Sequence, residues 1–234
     1  MKVVLDIETI PAPREAWARL AGITLLDRQE PAGDLFAQAE QDQSRQAHDD
    51  LYAKSAFDGT YARIVCIGAL FLGDDLEPRG ATSWYGVNEK ELLQKFWQRM
   101  AKERPQLWIT HNGLGFDLPF IKKRSVIHQV RPPFELNLAR FRTEPIYDTM
   151  AIWSNWDTRG WVKLDTLARA LGVETKSGSG DQVLSMWERG EGQAIAEYCL
   201  HDTYVTYACY CRMTFRTPLS RDVVLLHHEL IDCP

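Results

Sequence analysis

Asp6 and Glu8 interrupt an apolar run, Val3-Val4-Leu5-Asp6-Ile7-Glu8, near the start of the chain. The β-branched and aliphatic residues around them suit a buried strand. Alternate residues of a strand point to one face, so the two carboxylates project together. Side by side at the end of an apolar strand, like charges repel and lose hydration. A cation between them removes that cost. The first expectation is therefore a metal site at the end of a central strand.

Further acids are available at a distance in sequence. Asp117 lies where a strand gives way to a helix, and Asp202 sits on a long late helix. Tyr198 is four residues before Asp202, and positions i and i+4 share a helix face. Each has an ordinary role open to it: Asp117 as a helix cap, Asp202 as a surface acid, Tyr198 as a half-buried aromatic, Asn112 as a turn former. Together they say more. Asp6, Glu8, Asp117 and Asp202 converging on one cleft would not all stay ionised without cations. Two divalent ions neutralise four charges, and oxygen-only ligation suits Mg²⁺ or Mn²⁺, not zinc. A pair of such ions about 3.5–4 Å apart suits in-line displacement at phosphorus. Tyr198 and Glu8 would then hold the attacking water.

These residues need elements to hold them. Pro11 and Pro13 end the first strand and admit a helix from Arg14. Residues 27–54 are polar and read as one or two surface helices, an insertion or a lid. Ala62–Gly73 and Ala81–Tyr85 read as strands of a meander, joined by the turn Gly73-Asp74-Asp75. Asn88 and Glu91 make a capping box for a helix over Glu89–Glu103, whose apolar positions have helical spacing. Leu107–Thr110 is a buried strand, and the crossover makes it parallel. Parallel strands present ligands at their carboxyl ends, where His111–Phe120 follows. Its glycines, Gly113 and Gly115, allow close approach of the backbone. Tyr147–Trp153, Leu164–Gly172 and Gln193–Phe215 read as helices, Ser177–Gly180 as a loop, and the tail as amphipathic. The expected fold class is α/β: a mixed five-stranded sheet flanked by helices, one domain over residues 1–234.

Composition narrows the class. The chain has 234 residues, 45% hydrophobic and 25% charged, with a net charge of −5. Bulk positive charge is therefore not what would hold nucleic acid. The basic zone Lys122, Lys123, Arg124, Arg131, Arg140 and Arg142 could still contact phosphates, and Trp153, Trp156 and Trp161 could stack on bases. A solvated face and loop packing are the ordinary readings of these two features. No membrane span is expected, and Asp6 comes too early for a signal peptide's apolar region. Five cysteines without a CxxC pair read as reduced residues of a cytoplasmic protein.

Three segments resemble the motifs of the DnaQ-like 3′–5′ exonuclease superfamily: Asp6-Ile7-Glu8-Thr9, Asn112-Gly113-Leu114-Gly115-Phe116-Asp117 and Tyr198-Cys199-Leu200-His201-Asp202. Tyr198 marks the tyrosine (DEDDy) form. The histidine form would place its histidine at Glu197, and His201 faces differently. Phe116–Phe120, Tyr147-Asp148-Thr149, Lys163–Thr166 and Leu171-Gly172 look like the proofreading domain of family B DNA polymerases. The resemblance spans roughly residues 1–215. It implies an RNase-H-like fold and release of nucleoside 5′-monophosphates from a 3′ end. It also implies that Asp6, Glu8 and Asp202 ligate one metal, that Asp6 bridges to a second, and that Asp117 holds that second ion. Asn112, with Thr9 and Phe116, would contact the terminal nucleotide, and Lys122, Lys123 and Arg124 the phosphates. Single-stranded DNA is the expected substrate, with an exoribonuclease and a non-catalytic binder as alternatives. No polymerase domain accompanies the motifs, so a free-standing nuclease is expected.

Overall fold

The structure is a computed structural model that describes residues 1–25, 35–175 and 182–234, with backbone alone for 35–41. The expected loop Ser177–Gly180 and the first part of the polar stretch, 27–34, lie outside the described residues.

The apolar run becomes β1 (Lys2–Pro11), with Val3, Val4, Leu5 and Ile7 almost fully removed from solvent. It is followed by β2 (Ala62–Leu72), β3 (Pro78–Tyr85), β4 (Leu107–Thr110), β5 (Ile146–Asp148) and β6 (His228–Asp232). One mixed sheet has the order β5-β4-β1-β2-β3-β6. β4 runs parallel to β1, with Trp108 opposite Val3, and β5 runs parallel to β4. β2 and β3 are antiparallel, with Ile67 opposite Trp84. The fold class is the expected one, RNase-H-like α/β, but the sheet gains a strand. The tail supplies β6, parallel to β3. Five residues, all at least partly exposed, carry too short an alternation to announce a strand. Ile146–Asp148 likewise pairs as β5, where the start of a helix is expected. The helix begins only at Thr149, in α5 (Thr149–Trp153).

The chain divides into two compact units, Met1–Glu8 with Ile64–Pro234, and Thr9–Arg63. In the first, α3 (Glu89–Glu103) begins as expected, with Asn88 accepting the Glu91 N–H at 3.1 Å. It buries Leu92, Leu93, Phe96, Trp97 and Met100, and the Phe96 ring meets Trp84 and Trp108 edge-on. The long helix α8 (Gly192–Met213) packs across β3 and β4. It is apolar on most sides, with Ile195, Leu200, Val205 and Tyr207 buried, as a core helix must be. The remaining helices of this unit are α4 (Asp117–Ile127), α6 (Leu164–Ala170), α7 (Val183–Glu188) and α9 (Arg221–Val224). In the second unit lie α1 (Arg14–Ala21) and α2 (Leu35–Lys54). Trp17 is buried edge-on against His48 and Tyr52, and Arg14 pairs with Asp49 at 2.7 Å. Among the described residues, no helix is long and apolar enough to cross a membrane.

Candidate active site

β1 carries Asp6 and Glu8 in its middle and not at its end, since the strand runs on to Pro11 with Ile10 and Pro11 buried. Glu8 and Asp117 are buried, while Asp6 and Asp202 are half-buried. Asp117 opens α4 but caps nothing; the helix has no side-chain cap. Its Oδ1 instead accepts the backbone N–H of Ile7 at 3.1 Å. A carboxylate 110 positions away thus reaches the strand between Asp6 and Glu8.

Asp202 comes from α8, and Tyr198 lies one turn before it, near enough to its carboxylate to influence its protonation. Asp202 acts electrostatically on both Asp6 and Glu8, and Asp117 does so too. Burial pushes the Asp6 and Glu8 carboxyls well up, and the mutual repulsion of these acids adds to it. Asp117 is pushed up to about 7 by burial, with Asp148 adding to the rise. Asp202 reaches about 7 by burial, and Tyr198 opposes that rise. The four carboxylates are thus one electrostatic cluster. Among the described residues no lysine or arginine forms an ion pair with any of them. Clustered buried acids without a counter-charge suit divalent cations.

Ligand atoms of Asp6, Glu8 and Cys199 lie within 4.8 Å of one another. Cys199 thus places a sulfur beside the two carboxylates. Burial pushes its thiol well up, and the Sγ–H donates toward Asp6 Oδ2 at 3.4 Å. Without a metal the thiol is thus a hydrogen-bond donor to the Asp6 carboxylate. Cys199 carries no sequence signal of its own, because a lone cysteine on a helix reads as packing.

The loop after β4 is held by Asp148. Its Oδ1 accepts the Asn112, Met150 and Ala151 N–H groups at 3.0, 3.1 and 3.2 Å, and its Oδ2 accepts the Leu114 N–H at 3.0 Å. Asn112 is half-buried in the left-handed region, φ 64°. What the loop glycines approach is the protein itself: a Cβ on Gly113 would strike Thr110, and one on Gly115 would strike Asn112. Phe116 is half-buried and packs edge-on against Phe120.

Two residues expected at the substrate have partners within the protein. The Arg124 guanidinium is spent on the buried Glu89, with contacts of 2.6 and 2.8 Å, because a carboxylate left there without a partner would be costly. The Thr9 hydroxyl donates to the Ala56 carbonyl at 2.8 Å. Lys122 and Lys123 are exposed on α4. Lys122 borders a cleft of about 580 Å³ beside Trp97 and Phe134, which none of the four acids lines.

Fold and cluster together define a hydrolase of RNase-H-like architecture. Residues 58–224 match the family described as predicted 3′–5′ exonucleases related to the exonuclease domain of PolB, and the chain belongs to that family. It is a 3′–5′ exonuclease, of a family that depends on divalent metal and acts on nucleic acid. Asp117, Tyr198 and Asp202 fall inside the matched stretch; Asp6 and Glu8 precede it. The chain is 29% identical over 143 residues to a DNA polymerase epsilon catalytic subunit of Arabidopsis thaliana, covering 56% of this chain and 6% of that protein. It is 25% identical over 167 residues to the DNA polymerase epsilon catalytic subunit of Yarrowia lipolytica, covering 63% and 8%. With a DNA polymerase of Thermococcus gorgonarius the identity is 26% over 138 residues, covering 51% and 17%. The chain therefore spans only a small part of the length of these relatives.

Proposed function

We propose that the chain removes nucleotides one at a time from the 3′ end of single-stranded DNA, with two Mg²⁺ or Mn²⁺ ions held by Asp6, Glu8, Asp117 and Asp202. The Asp117–Ile7 hydrogen bond carries this reading, since it binds the loop–helix acid to the strand of the other two. In this assignment Asp6, Glu8 and Asp202 hold one ion, and Asp6 and Asp117 the other. Such ions, when bound, neutralise charge at phosphorus and favour deprotonation of the attacking water. Burial and the Asp202 carboxylate keep the Tyr198 phenol protonated, so Tyr198 orients that water and does not serve as its base. Glu8 shares the orientation. Asn112 and Phe116 meet the terminal nucleotide, and Lys122 and Lys123 the phosphates further back.

Residues 1–234 act in this reading as one exonuclease domain, with 27–54 as an insertion. A cytoplasmic setting accords with five cysteines that are all buried and unpaired. The test is incubation of the purified chain with 5′-labelled single- and double-stranded DNA and RNA, with Mg²⁺, Mn²⁺ or chelator. Shortening of single-stranded DNA from its 3′ end, with nucleoside 5′-monophosphates released and chelator abolishing both, is the expected result. Preferred degradation of RNA would move the chain to the exoribonucleases, and no product with either ion would remove the reading.

A further inference from the structure

We propose that Phe141 and Trp161, with Trp156 behind them and Arg140 beside them, form a stacking shelf for the bases of an unpaired nucleic-acid end. This rests on the nuclease reading above and adds to it how an unpaired end is chosen.

These four residues border one crevice together with Asn112 and Gly115. The crevice is thus continuous with the loop that leads into Asp117. Phe141 is 75% exposed and Trp161 41% exposed. The Phe141 and Trp156 rings lie 5.3 Å apart, tilted by 45°. Rings needed only for core packing would be covered, and neighbouring exposed rings beside a site mark a contact surface. The rim is also held in place. His111, the residue before Asn112, contacts the Val162 carbonyl through Nε2 at 3.0 Å and the Thr149 hydroxyl through Nδ1 at 2.9 Å. That clip ties the residue after Trp161 to the end of β4.

Charge identifies the occupant. Arg140 and Arg142 are exposed and form no ion pair among the described residues. Cations beside bare aromatic faces are complementary to a strand that offers phosphates and base faces in turn. The recess itself holds about 40 Å³, room for water and not for a base. A base therefore lies across the rim, against ring faces. In a duplex those faces are already stacked and paired, so the shelf selects unpaired ends.

The test uses the whole chain in chelator, which separates binding from hydrolysis. Two 5′-fluorescein oligothymidylates of equal length are compared by anisotropy, one with abasic residues at its four 3′-terminal positions. Wild type should bind the base-bearing strand roughly 10- to 100-fold more tightly, the range expected for aromatic stacking. Phe141→Ala with Trp161→Leu should abolish that preference, and Trp161→Phe should keep it. Phe141→Ala alone, altering a ring that is largely in solvent, serves if the double variant does not fold. Equal binding of the two strands by wild type, or an undiminished preference in the variants, would overturn the shelf. Added Mg²⁺ separates the two ideas. Hydrolysis without base preference would leave the nuclease reading standing and the shelf refuted. Base preference without hydrolysis would do the reverse.

Discussion

Gly68 on β2 faces Cys199 on α8 so closely that a Cβ at position 68 would stand 2.9 Å from the Cys199 Sγ and 3.3 Å from its carbonyl carbon. The strand therefore sets how near α8 lies, and α8 carries Tyr198 and Asp202. Gly68→Ala should destabilise the fold by about 1–3 kcal/mol, as overpacking does. Exonuclease activity should fall with it, because the helix must shift. Adding Cys199→Ala should recover part of the lost stability, and only part, because the Thr203 methyl and the Cys199 backbone remain in the way. Additive effects in urea melts of the single and double variants would show that the two positions are uncoupled.

Removing metal should make the protein prefer acid. Asp117 and Asp202 are raised to about 7 in the folded chain, and Asp6 and Glu8 are raised as well. Unfolded carboxyls titrate near 4. A raised folded value means stability that is fully present below the unfolded value and lost as pH rises through the folded one. In chelator, Tm should fall between pH 5 and pH 8, and Asp202→Asn should flatten that slope. Mg²⁺ or Mn²⁺ should restore Tm at pH 8. A Tm that rises with pH in chelator would contradict the clustering of these acids.

Asp202→Ala should abolish hydrolysis and raise Tm in chelator, since it relieves repulsion without opening the core. Tyr198→Phe should lower kcat roughly 10²-fold with little change in KM, the loss expected when a group that positions the water is removed. Wild-type kcat in Tyr198→Phe would reduce the phenol to a packing role.

Arg124 should behave as a structural cation. Its side chain is 11% exposed and that of Glu89 is 5% exposed, and Glu89 also accepts from the Ile64 N–H at 2.8 Å and contacts His128 at 2.7 Å. Arg124→Ala should cost about 3–5 kcal/mol by leaving a buried carboxylate short of its counter-charge. It should leave the salt dependence of substrate binding as it is. Lys122→Ala should do the opposite, flattening the salt slope with little change in stability. A salt slope that changes with Arg124 would return it to the substrate.

Asp148→Asn should loosen the Asn112 loop, because an amide has one acceptor oxygen where the carboxylate uses two. The expected effect is about 1–3 kcal/mol of stability, from backbone N–H groups left short of a partner. KM should rise more than kcat falls. Equal loss in both would place Asp148 closer to the chemistry than its hydrogen bonds do.

Much of this protein was decided locally. Strand alternation alone sets Asp6 and Glu8 on one side of β1, and helical periodicity alone aligns Tyr198 with Asp202. The Asn88 cap and the apolar spacing after it define α3 almost to the residue. In each case neighbours within about a turn determine the outcome, so the pattern is written in the chain. The tertiary structure decided what depends on distant partners. Nothing near Asp117 says that its carboxylate will find the Ile7 N–H instead of capping α4. Nothing near Arg124 says that Glu89 will be buried beside it and take its charge away from substrate. Short β5 and β6 exist because a neighbouring strand offers hydrogen bonds, not because three or five residues insist on being extended. Burial is a property of the assembled fold, and burial is what gives these carboxylates and this guanidinium their roles.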